Sequence, residues 1–77
     1  MNAYQLIEII DQLVKKNLRC RSAYMIIEDP LLLTLCNELH YKPIYFLKQQ
    51  GEMIQLNIQK LEEVKSSLQA KGQKELV

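Results

Sequence analysis

The stretch that decides the fold is Asp29-Pro30-Leu31-Leu32-Leu33-Thr34-Leu35-Cys36-Asn37-Glu38-Leu39. Aspartate is a preferred N-cap residue, and proline suits the first position of a helix because its φ is already helical. The residues that follow contain no helix breaker until Pro43, which disfavours helical geometry at the residue before it. We therefore predict a helix over residues 30–41. Because so few of its residues are polar, this helix should be buried on nearly all sides, or another chain should cover its remaining apolar surface.

Amphipathic segments lie on both sides of this central helix. From residue 3 to residue 17 apolar residues recur at helical spacing, with Asn2 as a suitable N-cap and Asn17 as a suitable end. Asn57 can cap a last helix over residues 58–71, and Gly72 is a natural residue to end it. The last helix carries a regular apolar stripe made of Ile58, Leu61, Val64 and Leu68.

Two segments have an ambiguous pattern. The apolar run at residues 23–27 fits a short buried strand or a helical turn, and its helical neighbours favour a helix. Residues 43–57 fit either a hairpin with strands at 44–47 and 53–56 or a short helix that Pro43 opens and Gly51 closes. The β-rich residues favour the hairpin. The sequence thus predicts one mainly α domain over residues 1–72, a compact bundle of three to four helices with a short β-hairpin at about 44–56, and a frayed tail over 73–77.

Composition narrows the class of protein. The chain has 77 residues, of which 48% are apolar, and a net charge of +1. A chain this short has a small core, so part of the apolar surface is expected on the outside for a partner or a second copy. Acidic and basic residues cancel within residues 1–29 and again within residues 30–57, so we expect no basic cluster, which argues against binding dominated by phosphate contacts. No signal peptide precedes the two cysteines, so we expect a cytoplasmic protein with reduced thiols and no membrane span.

Cys36 and His40 are the one pair that suggests a chemical site. Four residues apart on a helix, they share a face, but zinc would need two further ligands that the chain does not supply. A nucleophilic cysteine would also need a group that orients the histidine, an oxyanion site and a pocket. We therefore expect no enzymatic activity, no catalytic or metal-binding residue, no cofactor and no small-molecule substrate.

The first functional hypothesis is a small regulatory or adaptor module that binds a protein partner, or a second copy of itself as a homo-oligomer. The apolar helix surface at 31–39 or 58–68 would form the interface. Its candidate residues are Leu31, Leu32, Leu35, Leu61, Val64 and Leu68.

The second hypothesis comes from the order of the elements. Helix, short segment, helix, hairpin and helix resembles the order of a winged helix-turn-helix, which implies a DNA-binding transcription regulator. The helix at 30–40 is too apolar and too acidic to read the major groove, so the segment 42–50 would contact DNA. The side chains in that segment that suit base and phosphate contacts are Lys42, Tyr45, Lys48, Gln49 and Gln50.

Overall fold

The computed structural model describes residues 1–75 and the side chains of residues 1–72. The chain is mainly helical with a small antiparallel sheet, as the sequence predicts. The elements in chain order are α1 (Ala3–Lys16), β1 (Arg19–Cys20), α2 (Ala23–Ile27), α3 (Pro30–Leu39), a 3-10 helix (Pro43–Phe46), β2 (Leu47–Gln50), β3 (Met53–Leu56) and α4 (Ile58–Glu75).

The helix boundaries follow the capping residues that the sequence supplies. Asn2 forms a capping box with Gln5, and Asn17 ends α1 in the left-handed conformation. Asp29 accepts hydrogen bonds from the first turn of α3, and His40 ends that helix with a φ of 61°. Each cap satisfies backbone groups that a helix end leaves without intrahelical partners. The predicted starts of α1 and α3, and the predicted end of α3, are confirmed.

The region after α3 combines both predicted alternatives. Pro43 opens one 3-10 turn, so the first strand of the hairpin begins at Leu47 and not at Ile44. The two strands pair from Leu47 opposite Leu56 to Gln50 opposite Met53, across a two-residue turn that begins at Gly51. Gly51 has a φ of +62°, which suits the first central residue of a type II′ turn.

A third strand completes the sheet. β1 pairs antiparallel with β3, which places Arg19 opposite Gln55 and Cys20 opposite Ile54. The strand order is therefore β1-β3-β2, and β2 lies at one edge of the sheet. A strand of two residues has no periodicity, so the sequence did not predict it.

The last helix packs along the first in the opposite direction. Lys65 donates a 2.7 Å hydrogen bond to Asp11, and Gly72 lies beside Ala3 at the other end of the contact. α4 continues through Gly72 to Glu75, so the prediction that the helix ends at 71 is wrong. The predicted tail begins inside this helix, and residues 76–77 of it lie outside the described residues. Gly72 is buried where α4 approaches Ala3, which indicates a role in helix packing.

One hydrophobic core joins all these elements. Side chains from α1, α2, α3, β3 and α4 form one cluster with Phe46 of the 3-10 helix, which is fully buried. None of the helices within residues 1–75 combines the length and apolar composition that a membrane crossing requires.

Candidate functional site

Most of the residues predicted to form a protein interface lie inside the domain. Leu32, Leu35 and Leu61 have no exposed surface, and Leu68 retains only 6%. Leu31 and Val64 are half-buried against the same core. Because their apolar surface is already covered by the chain itself, these six residues do not form an exposed contact surface. The apolar excess of α3 and α4 is used in the core.

Exposed apolar side chains occur instead on α2 and the 3-10 helix. Tyr24 is 75% exposed, Met25 69% and Ile44 66%. These two elements contact each other. Between them and the sheet runs a groove of about 170 Å³, lined by Ala23, Ile44, Leu47, Lys48, Gln49 and Ile54. We refer to Tyr24, Met25, Ile44 and this groove as the α2 patch.

The α2 patch was missed because it depends on how α2 packs. The run Ala23–Ile27 is almost entirely apolar, and such a run predicts burial. A helix of five residues can turn only part of its surface toward the core, however, and Ile26 is the one side chain that becomes fully buried. Tyr24 and Met25 are therefore left on the outside. No periodicity in a run this short distinguishes the buried residue from its neighbours.

The residues predicted to contact nucleic acid are all exposed but do not share one surface. Alternate residues of a strand point to opposite faces of a sheet. Lys48 and Gln50 therefore lie on the outward face, whereas Gln49 points to the core side, where Leu47 and Ile54 pack. Lys42 precedes the 3-10 helix and Tyr45 lies within it.

Tyr45 belongs to an aromatic cluster. Its ring stacks on Tyr41 with centroids 4.8 Å apart, and it meets Phe46 edge to face at 5.1 Å. The Lys60 ammonium lies 3.9 Å from the centre of the Tyr45 ring, within cation–π range. These contacts already occupy much of the Tyr45 ring, which makes it a poor platform for a nucleobase.

Pairing within the sheet creates a basic row that the sequence did not predict. Arg19 and Lys48 both lie opposite Gln55, so the three side chains cross the outward face in one line. Gln55 also donates a 2.8 Å hydrogen bond to Gln50 on that face. None of the described strand residues is acidic.

Charge is therefore less evenly distributed in the folded chain than along the sequence. Residues 19–21 and 42–60 contain five of the ten basic residues but only one acidic residue, Glu52. None of these five cations takes part in an ion pair with the described residues. The fold thus brings two cations that are distant in sequence, Arg19 and Lys48, onto one face of the sheet with Gln55 between them.

Cys36 and His40 do not form a paired site. Cys36 is buried on α3, and this burial raises the pKa of its thiol, which disfavours the reactive thiolate. His40 is exposed at the end of the helix, in a left-handed conformation. Among the described residues, no three His, Cys, Asp or Glu side chains converge in a way that would hold a metal ion.

Comparison with known protein families, curated proteins and solved structures finds no significant match to this chain.

Proposed function

We propose that this chain is a small protein-binding module whose contact surface is the α2 patch. One observation carries the proposal: three large apolar side chains, each at least 66% exposed, lie on adjoining elements beside an apolar groove. Contiguous exposed apolar surface of this kind marks interaction sites in soluble domains. Tyrosine and methionine are also among the residue types enriched at the centre of protein interfaces.

The charges around the α2 patch indicate the chemistry of the partner. Arg21 precedes α2 by two residues, Lys42 precedes Ile44 by two, and Lys48 lines the groove itself. Glu28 and Asp29 follow α2, and Asp29 is already paired with Lys16. A surface with an apolar centre and a mainly cationic rim is complementary to an apolar segment flanked by carboxylates.

Site-specific photo-crosslinking tests this proposal. A photoreactive phenylalanine analogue is incorporated at Tyr24 in cells that produce the protein, and the matched control carries it at Tyr4. Tyr4 is a suitable control because it is 57% exposed on α1, outside the α2 patch. We expect a discrete adduct from position 24 that is absent from position 4.

An added Ile44→Ser substitution connects the adduct to the α2 patch. Ile44 is 66% exposed, so serine should leave the fold intact, which a thermal melt verifies. The adduct from position 24 should then fall at least fivefold. Equal adducts from positions 4 and 24, or an adduct unaffected by Ile44→Ser, would contradict the proposal.

Nucleic-acid binding is the second candidate, and the basic row favours it. The order of the elements, with strand order β1-β3-β2, resembles that of a winged helix-turn-helix domain. The exposed residues of α3 include Leu33 and Glu38 and no cation, so contacts would come from the sheet. Arg19 and Lys48 would contact phosphates while Gln50 and Gln55 offer amide groups.

Fluorescence anisotropy with a labelled DNA duplex tests this second candidate. Binding through phosphates should weaken steeply with added salt, by a power that grows with the number of contacts. Arg19→Gln and Lys48→Gln should each reduce both the affinity and the salt dependence, while Lys15→Gln on the far helix should change neither. Binding that does not depend on salt or on these two residues would exclude the basic row.

A further inference from the structure

We infer that the partner of the α2 patch binds as an extended segment that adds a strand to the open edge of β2, with an acidic residue between two apolar residues. This inference rests on the proposed function, and it specifies how the partner binds and what sequence pattern it carries. Three observations support it: the free backbone groups of β2, the position of the groove and the place of Lys48.

The outer edge of β2 has backbone groups available for pairing. In an antiparallel ladder, residues that flank a two-residue turn exchange hydrogen bonds, and every second pair does so. The backbone groups of Gln50 and Lys48 therefore bond to β3. Two residues earlier, the Phe46 carbonyl continues this alternation by accepting a 2.7 Å hydrogen bond from the Asn57 N–H. The backbone groups of Leu47 and Gln49 face the other way.

Leu47 and Gln49 together offer one backbone donor and two backbone acceptors to an added strand. The Leu47 N–H is already bonded to the Ile44 carbonyl, as the end of the 3-10 helix requires. The Leu47 carbonyl and both backbone groups of Gln49 have no backbone partner among the described residues. An edge of this kind is a template for an added strand.

The groove lies along the same edge. It is lined by Leu47, Lys48 and Gln49, three consecutive residues whose side chains point to alternate faces. Leu47, Gln49 and Ile54 belong to the core-side face, so the groove lies on that face of β2, the strand at the open edge. Ile44 and Ile54 provide its apolar walls. Residues of an added strand opposite Leu47 and Gln49 would therefore direct their side chains toward this groove, which favours apolar residues there.

Lys48 determines which residue type is favoured in the added strand between the two residues that lie opposite Leu47 and Gln49. It points to the outward face, and a residue directly opposite it in an added strand would lie within about 5 Å. A second copy of β2, paired symmetrically through Leu47 and Gln49, would place Lys48 against its own equivalent. Like charges directly opposite are destabilising, whereas a carboxylate there is stabilising. The edge therefore favours a different chain with an acidic residue at this position.

Peptide titration tests the inference. The probes are seven-residue peptides with blocked ends, with Glu at the centre and Val, Ile, Leu or Phe on both sides of it. Binding is followed by the NMR signals of backbone amides in the full-length chain. We expect saturable shifts that are largest at the Gln49 amide, and protection of that amide from hydrogen exchange. No shift at Gln49 from any peptide at millimolar concentration would overturn the inference.

Charge exchange tests the position of the acidic residue. Lys48→Glu should weaken binding of the Glu peptides at least threefold, and a peptide with Lys at its centre should regain the affinity. Lys15→Glu makes the same charge change at an exposed site on α1 and should have no effect. If Lys48→Glu and Lys15→Glu behave alike, the acidic residue does not lie opposite Lys48.

Backbone changes test strand pairing separately from the proposed function. Gln49→Pro removes an N–H that faces away from β3. Methylation of the peptide nitrogen that would donate to the Gln49 carbonyl removes a donor from the peptide without changing the protein. Both should abolish binding. If the photo-crosslink at Tyr24 and its loss in Ile44→Ser persist while these two changes have no effect, the partner binds the α2 patch without strand addition. If the Gln49 amide responds only to DNA and only at low salt, the site binds nucleic acid.

Discussion

Asp29 offers the sharpest test of how this domain is stabilised, because one carboxylate performs two tasks. Its Oδ1 accepts hydrogen bonds from the Leu31 N–H at 2.9 Å and the Leu32 N–H at 3.3 Å, which caps α3. Its Oδ2 accepts from the Lys16 ammonium at 2.9 Å, which ties α3 to the end of α1. Asparagine caps a helix as well as aspartate does, whereas alanine does not.

The two substitutions should therefore destabilise by different amounts. Loss of an N-cap costs about 0.5–2 kcal/mol. Loss of a partly exposed ion pair costs about 0.2–1 kcal/mol. Asp29→Asn should thus lower the free energy of unfolding by less than about 1 kcal/mol, and Asp29→Ala by about 1–3 kcal/mol. Urea denaturation near neutral pH measures both. Equal losses in the two variants would refute the capping role.

The dependence on pH provides a second check on Asp29. Burial raises the pKa of its carboxyl, but the hydrogen bonds from Lys16 and from the Leu32 and Leu31 N–H groups outweigh burial, so the pKa falls below 3.8. A carboxyl whose pKa is lower in the folded state stabilises fully above its unfolded pKa, and this stabilisation disappears as the pH falls through the folded value. The difference in stability between the wild type and Asp29→Asn should be constant well above pH 3.8 and should shrink as the pH falls through and below that value. A difference that persists in stronger acid would contradict the assignment.

Four further changes probe the packing. Leu61→Ala should cost about 2–5 kcal/mol in thermal melts because Leu61 is fully buried, while Gln59→Ala on the exposed side of α4 should be nearly neutral. Gly72→Ala should stabilise by up to about 1 kcal/mol, since a Cβ there would meet Ala3 at an ordinary 3.9 Å; a loss of stability would show that α1 and α4 cannot accept the methyl group. Gly51→Ala should cost about 1–2 kcal/mol because its φ is +62°, and unchanged stability would mean that the turn adopts another conformation. His40→Gly should be stabilising, because His40 has a φ of 61° and glycine adopts a positive φ without steric cost. A destabilised variant would show that the His40 side chain makes a contact of its own.

The sequence was sufficient for the helix N-caps and the apolar stripes, which depend on residues three or four positions apart. The caps at Asn2, Asp29 and Asn57 each involve a side chain and a nearby backbone N–H, and all three are present. The apolar stripes of α1 and α4 likewise follow from helical spacing, and both lie against the core.

The sequence was insufficient wherever distant segments meet. β1 exists only through its pairing with β3, some 35 residues later, and the basic row of Arg19, Gln55 and Lys48 follows from that pairing. Most of the candidate interface residues are buried within the chain, and the sequence could not predict this for a related reason. A regular apolar stripe such as that of Leu61 and Leu68 does not reveal whether its cover is the same chain or a partner, and here it is α1.

The antiparallel contact between α1 and α4 has a consequence for the order in which the chain folds. The hairpin of β2 and β3 is local and can form in about 1–10 μs. The apolar stripe of α1, by contrast, is covered by a helix that begins 42 residues after α1 ends, at Ile58. At a translation rate of about 5–20 residues per second, the part of this stripe that faces α4 remains uncovered for at least roughly 2–8 s during synthesis. The first helix thus exposes part of its apolar surface long after the local hairpin could form, and it needs protection from aggregation during that time.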